Sequence, residues 1–137
     1  MTEITRKCLA LGKGDKERLI RILTDSLSEK ENGAERFNTL HNIATDMFGK
    51  GILTNSREYN LVLARRMIVY TMRSEGYSYS SIGRYLTRHH ASVMHMYKMM
   101  EDIFSFPNIY RLEMAYWEEF KRKIKDYDIH RTTIQNS

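Results

Sequence analysis

Helix-breaking residues are scarce along this chain. Of its 137 residues, one is proline, Pro107, and seven are glycine. Proline interrupts helices and glycine weakens them, whereas sandwiches and barrels need many turn-forming residues between their strands. We therefore predict an all-α protein built as a helical bundle.

The composition is that of a globular chain. Hydrophobic residues make up 42% and charged residues 28%, so a core can form, and the length suits a single domain with a small appendage. Lys and Arg number 22 against 17 Asp and Glu, which gives a net charge of +5. This excess permits a polyanionic partner without requiring one.

Cysteine usage and hydropathy point to the cytoplasm. The single cysteine, Cys8, excludes an internal disulfide framework and a multi-cysteine zinc site. Charged and apolar residues alternate near the N-terminus, which is unlike a secretion signal. No stretch approaches the roughly 20 apolar residues of a membrane-spanning helix. We expect a cytoplasmic protein that does not enter a membrane.

Apolar residues recur at three- and four-residue steps in several stretches, which is typical of helices. Gly49, Gly51 and Gly76 follow predicted helices, Ser78 is a candidate N-cap, and Pro107 interrupts the chain. The predicted helices cover approximately residues 15–27, 34–48, 60–75, 78–86, 90–104 and 108–127. We expect the tail from Asp128 onward to be frayed.

The fourth and fifth of these helices outline a helix-turn-helix, because only Thr87, Arg88 and His89 separate them. In such a motif the first helix braces the second, whose N-terminal turn can enter a major groove about 12 Å wide. A helix N-terminus also offers free N–H groups and a positive dipole end to phosphate. Side chains that form hydrogen bonds occupy this turn: Arg88, His89, His90 and Ser92.

Residues 56–103 resemble the C-terminal, DNA-binding domain of the bacterial chromosomal replication initiator DnaA. The similar stretches are Ala-Arg-Arg-Met-Ile-Val-Tyr at 64–70, Ser-Tyr-Ser-Ser-Ile-Gly at 78–83 and Arg-His-His-Ala-Ser-Val-Met-His at 88–95. Their order and approximate spacing agree with the family's pattern. The resemblance implies a Trp-repressor-like helix-turn-helix that binds double-stranded DNA without a cofactor.

The resemblance also implies roles for individual residues. Arg57 occupies the place of an arginine that enters the minor groove, and Arg65 that of an arginine that contacts the DNA backbone. Arg66 lies where the family has a glutamine, and we expect it, together with Lys98, to contact phosphate. The groove-reading turn would comprise Arg88, His89, His90 and Ser92.

Three departures from the family pattern lie in this turn. His89 stands where the family has an aspartate, Ala91 stands where it has a threonine, and Thr87 replaces a Gly-Gly pair. A changed set of donors and acceptors changes the preferred bases, whereas phosphate contacts tolerate such drift. We therefore expect a recognition sequence different from the initiator's own.

The 137 residues contain no Walker A motif and leave no room for the initiator's ATPase domain. We predict a sequence-specific, double-stranded DNA-binding regulator or accessory replication factor of a bacterium, phage or mobile element. It would bind no nucleotide and catalyse no reaction. The alternative is a helical protein–protein adaptor that keeps the initiator-like fold without binding DNA.

We divide the chain into an N-terminal helical segment (1–53), the DNA-binding domain (54–105), and a C-terminal helix with its tail (106–137). The helix at 108–127 could bind a protein partner or a second copy, or fold back on the central domain, and the second arrangement is favoured. His90 and His95 are five residues apart, hence on different faces of a helix, and no carboxylate lies at ligand spacing. We therefore predict no metal site.

Overall fold

The computed structural model describes residues 33–135, and side chains as far as Arg131. This part of the chain contains five helices and no strand, which confirms the predicted all-α class. The helices are α1 (33–48), α2 (Tyr59–Ser74), α3 (Tyr79–Leu86), α4 (His90–Ser105) and α5 (Arg111–Gln135). The helix predicted at 15–27 lies outside the described residues.

Local sequence signals account for most helix boundaries. The Ser78 hydroxyl accepts a hydrogen bond from the backbone N–H of Ser81 at 3.1 Å and so caps α3. Gly76, at φ +101°, follows α2, and α4 ends at Ser105, just before Pro107. The last helix departs from the prediction, because α5 continues to Gln135, past the Asp128 at which fraying was expected.

Helix α2 lies at the centre of the fold and contacts α3, α4 and α5. For the helix at 60–75, the spacing of apolar residues predicts one buried face, formed by Leu61, Ala64, Met67, Ile68, Thr71 and Met72. These residues are buried, but Leu63, Val69 and Arg65 are buried as well. The single buried face predicted for α2 was therefore too narrow. Neighbouring helices surround α2 on several sides, so nearly every middle position packs against another element.

A cluster of four aromatic rings fastens α4 and α5 to α2. The ring of Tyr70 on α2 stacks on Tyr97 at 4.9 Å between centroids and meets Phe104 edge-on at 4.8 Å. Trp117 on α5 completes the cluster, 5.4 Å from Tyr70 and 5.2 Å from Phe104. Such pairs each add about 0.5–1.5 kcal/mol beyond the apolar area that they bury.

The flanking helices pack against the central ones. Phe37, Leu40 and Ala44 of α1 belong to the hydrophobic core, as do Phe120 and Ile124 of α5. The folded-back arrangement favoured by the sequence is therefore the one observed.

An ion-paired arginine joins α1, the end of α2, and α5 at the surface. Arg36 of α1 pairs with Glu75, at the end of α2, at 2.7 Å and with Asp128 of α5 at 2.9 Å. For the helix predicted at 108–127, the spacing predicts an apolar stripe of Ile109, Leu112, Tyr116, Phe120, Ile124 and Tyr127. This prediction was partly wrong, because Ile109, which precedes α5, is 74% exposed and Leu112 is 58% exposed.

Gly83 of α3 supports the turn that follows it. A Cβ atom at this position would lie 2.5 Å from the Arg88 carbonyl oxygen, which is backbone and cannot move aside cheaply. We expect Gly83→Ala to lower the free energy of unfolding by about 1–3 kcal/mol through overpacking, despite the better helix propensity of alanine. Urea unfolding of both proteins measures the difference.

The matched control is Ser80→Ala, at an exposed position of the same helix, which should change stability by less than about 0.5 kcal/mol. Equal urea midpoints for Gly83→Ala and the parent chain would contradict the close approach of α3 to the turn.

Candidate functional site

A tight turn joins α3 to α4. Thr87 adopts a left-handed conformation (φ 54°, ψ 47°) and is the one non-glycine residue with a positive φ in the described chain. Its N–H donates to the Arg84 carbonyl oxygen at 3.3 Å, and the N–H of Arg88 donates to the Gly83 carbonyl oxygen at 2.8 Å. These bonds close α3 at Leu86 and let α4 begin at His90, after a connection of three residues, as a helix-turn-helix requires.

The first turn of α4 faces solvent. His89 is its N-cap, because Nδ1 of the ring accepts a hydrogen bond from the backbone N–H of Ala91 at 3.2 Å. His89, His90, Ala91 and Ser92 are all exposed, and the two imidazole rings lie 4.2 Å apart. The structure therefore presents three of the four residues predicted for the groove-reading turn: His89, His90 and Ser92.

Arg65 does not have its predicted role. The residue is only 4% exposed, and its guanidinium group donates to the carbonyl oxygens of Ile52 at 2.6 Å and Ser56 at 2.9 Å. A third bond reaches the carbonyl oxygen of Thr54 at 2.9 Å. Burial lowers the pKa of this guanidinium, and the nearby charge of Arg88 acts in the same direction. Because the donors are turned inward, the prediction that Arg65 contacts phosphate was wrong.

The guanidinium of Arg88 is only partly available for contacts with DNA, because part of it is bonded within the protein. This half-buried residue donates from Nη2 to the carbonyl oxygen of Thr54 at 2.6 Å, the same oxygen that Arg65 reaches. The bond ties the turn before α4 to the loop that joins α1 to α2. Arg57 lies exposed in that loop. Arg88 therefore brings the loop of Arg57 beside the exposed turn.

An open groove of about 450 Å³ runs between α2 and the start of α4. Arg66 of α2 and Ser92 of α4 line it together, and none of its lining residues is acidic. Sequence reasoning left His95 out of the site, yet His95 also lines the groove. Its position three residues after Ser92, on the same face of the helix, was the available signal.

The two remaining predicted cations are free at the surface. Arg57 and Lys98 are exposed, and neither forms a hydrogen bond or ion pair within the described residues. Lys98 lies three residues beyond His95, hence one further turn along α4. Both side chains are able to reach an external anion.

Within residues 33–135 the structure forms neither a cluster of metal-binding side chains nor a membrane-spanning helix. There, no three His, Cys, Asp or Glu side chains come together closely enough to hold a metal ion. Over the same range, none of the helices combines the length and the apolar character needed to cross a bilayer.

Arg65 and Arg66 are neighbours in sequence, but we expect their removal to affect the stability of the protein very differently. Arg65→Ala leaves the carbonyl oxygens of Ile52 and Ser56 without donors and should lower the free energy of unfolding by about 2–4 kcal/mol. Arg66→Ala removes no backbone hydrogen bond and should change it by about 0.5 kcal/mol or less. Urea unfolding measures both, and similar losses in the two variants would contradict the structural role of Arg65.

Comparison with known families gives a match over the central part of the chain. Residues 45–99 match the family model described as the bacterial dnaA protein helix-turn-helix, over a segment that runs from the end of α1 into α4. A search of curated proteins and a search of solved structures each found no match. The matched segment contains the turn, the loop at 51–56 that accepts hydrogen bonds from Arg65, and the groove described above. Residues 45–99 of this chain are therefore similar to the helix-turn-helix of the bacterial DnaA protein.

Proposed function

We propose that the chain binds double-stranded DNA by inserting the first turn of α4 into the major groove. The observation that carries this proposal is the exposed turn from His89 to Ser92, which borders a groove that contains Arg66 and no acid. A major groove about 12 Å wide admits a helix, and the N-terminal residues of that helix then meet the base edges. The family of residues 45–99 supports the same mode of binding.

We assign base contacts to the exposed side chains of this turn. His90 and Ser92 supply hydrogen-bonding groups, and Ala91 supplies a methyl group that suits the methyl of thymine. His89 lies at the same edge of the helix. This combination of polar and apolar groups supports sequence-specific binding.

Backbone contacts come from four residues around the turn. Arg66 and His95 line the groove beside α4, and Arg57 and Lys98 are exposed cations in the preceding loop and further along α4. We propose that Arg57 enters the adjacent minor groove or contacts its phosphates. Arg88 acts indirectly, because its bond to Thr54 positions the loop that carries Arg57.

The proposed cellular role builds on the proposed DNA binding. We propose an accessory replication factor or transcription regulator of a bacterium, phage or mobile element. It would act without catalysis and without a bound nucleotide.

A second candidate is a protein–protein adaptor. Phe106, Ile109 and Leu112, around the connection between α4 and α5, are more than half exposed, which favours a protein contact at that corner. The middle of the α5 apolar face is occupied, because Trp117, Phe120 and Ile124 are buried. A partner at this corner would therefore contact the beginning of the helix.

A salt titration of duplex binding tests the DNA proposal. Three cationic phosphate contacts (Arg57, Arg66 and Lys98) predict that the logarithm of the association constant falls with the logarithm of salt with a slope of about −3. Arg66→Ala and Lys98→Ala should each reduce the slope by about one and weaken binding to all sequences similarly. Fluorescence anisotropy with a labelled duplex provides the measurement.

Lys125→Ala is the matched control. Lys125 is an exposed lysine of α5 that lines a different groove, together with Trp117 and Ile124, so its removal should leave the slope unchanged. No measurable affinity for duplex at about 50 mM salt would reject DNA binding and favour the adaptor.

A further inference from the structure

His89 is held at the start of α4 by one of its two ring nitrogens. Nδ1 accepts a hydrogen bond from the backbone N–H of Ala91 at 3.2 Å. In a neutral imidazole one nitrogen carries the proton and the other is the acceptor. Because Nδ1 accepts, the proton lies on Nε2. The free nitrogen of this side chain is therefore a hydrogen-bond donor.

The direction of this donor is restricted. The His89 ring is exposed, and Nε2 has no hydrogen-bond partner within residues 33–131. The ring of His90 lies against it, with centroids 4.2 Å apart and planes tilted by 34°. The cap bond and the ring contact together fix the donor relative to the helix. A group fixed in advance loses less entropy on binding and discriminates between partners by its geometry.

We propose that His89 is a specificity-determining residue that selects guanine at the base pair it faces, an inference that rests on the proposed DNA binding. In the major groove guanine presents two acceptors, N7 and O6, whereas cytosine presents an amino donor. Adenine places an amino donor beside its acceptor, and thymine places a methyl group beside its single oxygen. An N–H donor therefore pairs best with guanine and is left unpaired against cytosine.

The first experiment replaces the hydrogen-bond donor at position 89 by an acceptor and keeps a side chain that can cap the helix. Aspartate is a strong N-cap residue, but its ionised carboxylate only accepts hydrogen bonds. The full 137-residue chain and its His89→Asp variant are each used to select duplexes from a random pool, which are then sequenced. We expect the preference at one base pair to change from guanine to cytosine on the same strand, by roughly five- to tenfold, with other positions unchanged. A base preference is the ratio of two enrichments measured with the same protein. A general loss of affinity caused by the added negative charge affects both enrichments and therefore cancels in the ratio.

His89→Ser is the second variant. Serine also caps a helix, but its short side chain does not extend to the base edge, so the preference at that base pair should be lost without being reversed. Thermal melting followed by circular dichroism verifies that each variant is folded. If His89→Asp does not fold, the loss of the guanine preference in His89→Ser decides the question alone.

The outcomes separate the two levels of the proposal. The same base preferences in the parent chain and in both folded variants would overturn the role of His89 and leave duplex binding intact. Failure of the parent chain to enrich any duplex would overturn the proposed function itself, and the role of His89 with it.

Discussion

The carbonyl oxygen of Thr54 accepts hydrogen bonds from two arginines, and the candidate site depends on this junction. Arg65 reaches it from α2 at 2.9 Å, and Arg88 reaches it from the turn before α4 at 2.6 Å. Hydrogen bonds to charged donors contribute about 1.5–3 kcal/mol each, and a buried guanidinium without acceptors would cost more. The loop that carries Arg57 is therefore bound to the turn that carries His90, and the two form one surface.

The turn itself depends on two local constraints. At Gly83 only a hydrogen fits against the Arg88 carbonyl, which lets the chain reverse directly after α3. His89 then caps α4, so the helix starts at once and its first residues stay exposed. Thr87 is held in a left-handed conformation between these two constraints, which costs roughly 1–2 kcal/mol for a residue that is not glycine. The surrounding hydrogen bonds offset that cost.

Helices α1 and α5 stabilise the site through contacts that lie away from its exposed turn. Tyr70, Tyr97, Phe104 and Trp117 join α2, α4 and α5 in one aromatic cluster, while the Arg36 ion pairs join α1 to the ends of α2 and α5. Both groups of contacts lie away from residues 89–92, which remain exposed. The flanking helices thus complete the core around the segment that resembles the DnaA helix-turn-helix, and they do not cover the turn through which we propose that it binds DNA.

The sequence by itself determined the helical class, the approximate bounds of α1 to α4 and the place of the turn. These features depend on local signals, namely the spacing of apolar residues, the Ser78 cap, the glycines after helices and Pro107. The resemblance of residues 56–103 to the DnaA family was likewise readable from three short stretches, and it was confirmed by the family match at 45–99. The N-cap role of His89 and the groove position of His95 needed the side-chain geometry.

Only the tertiary structure decided which of two adjacent arginines faces inward. Arg65 and Arg66 have the same chemistry, but the loop at 51–56 folds back over one side of α2 and supplies carbonyl oxygens there to Arg65 and not to Arg66. Tertiary packing likewise determines that Trp117 of α5 is buried in the core whereas Leu112 is exposed. In both cases contacts between residues distant in sequence determine which side chain is buried. The spacing of apolar residues within one helix carries no information about such contacts.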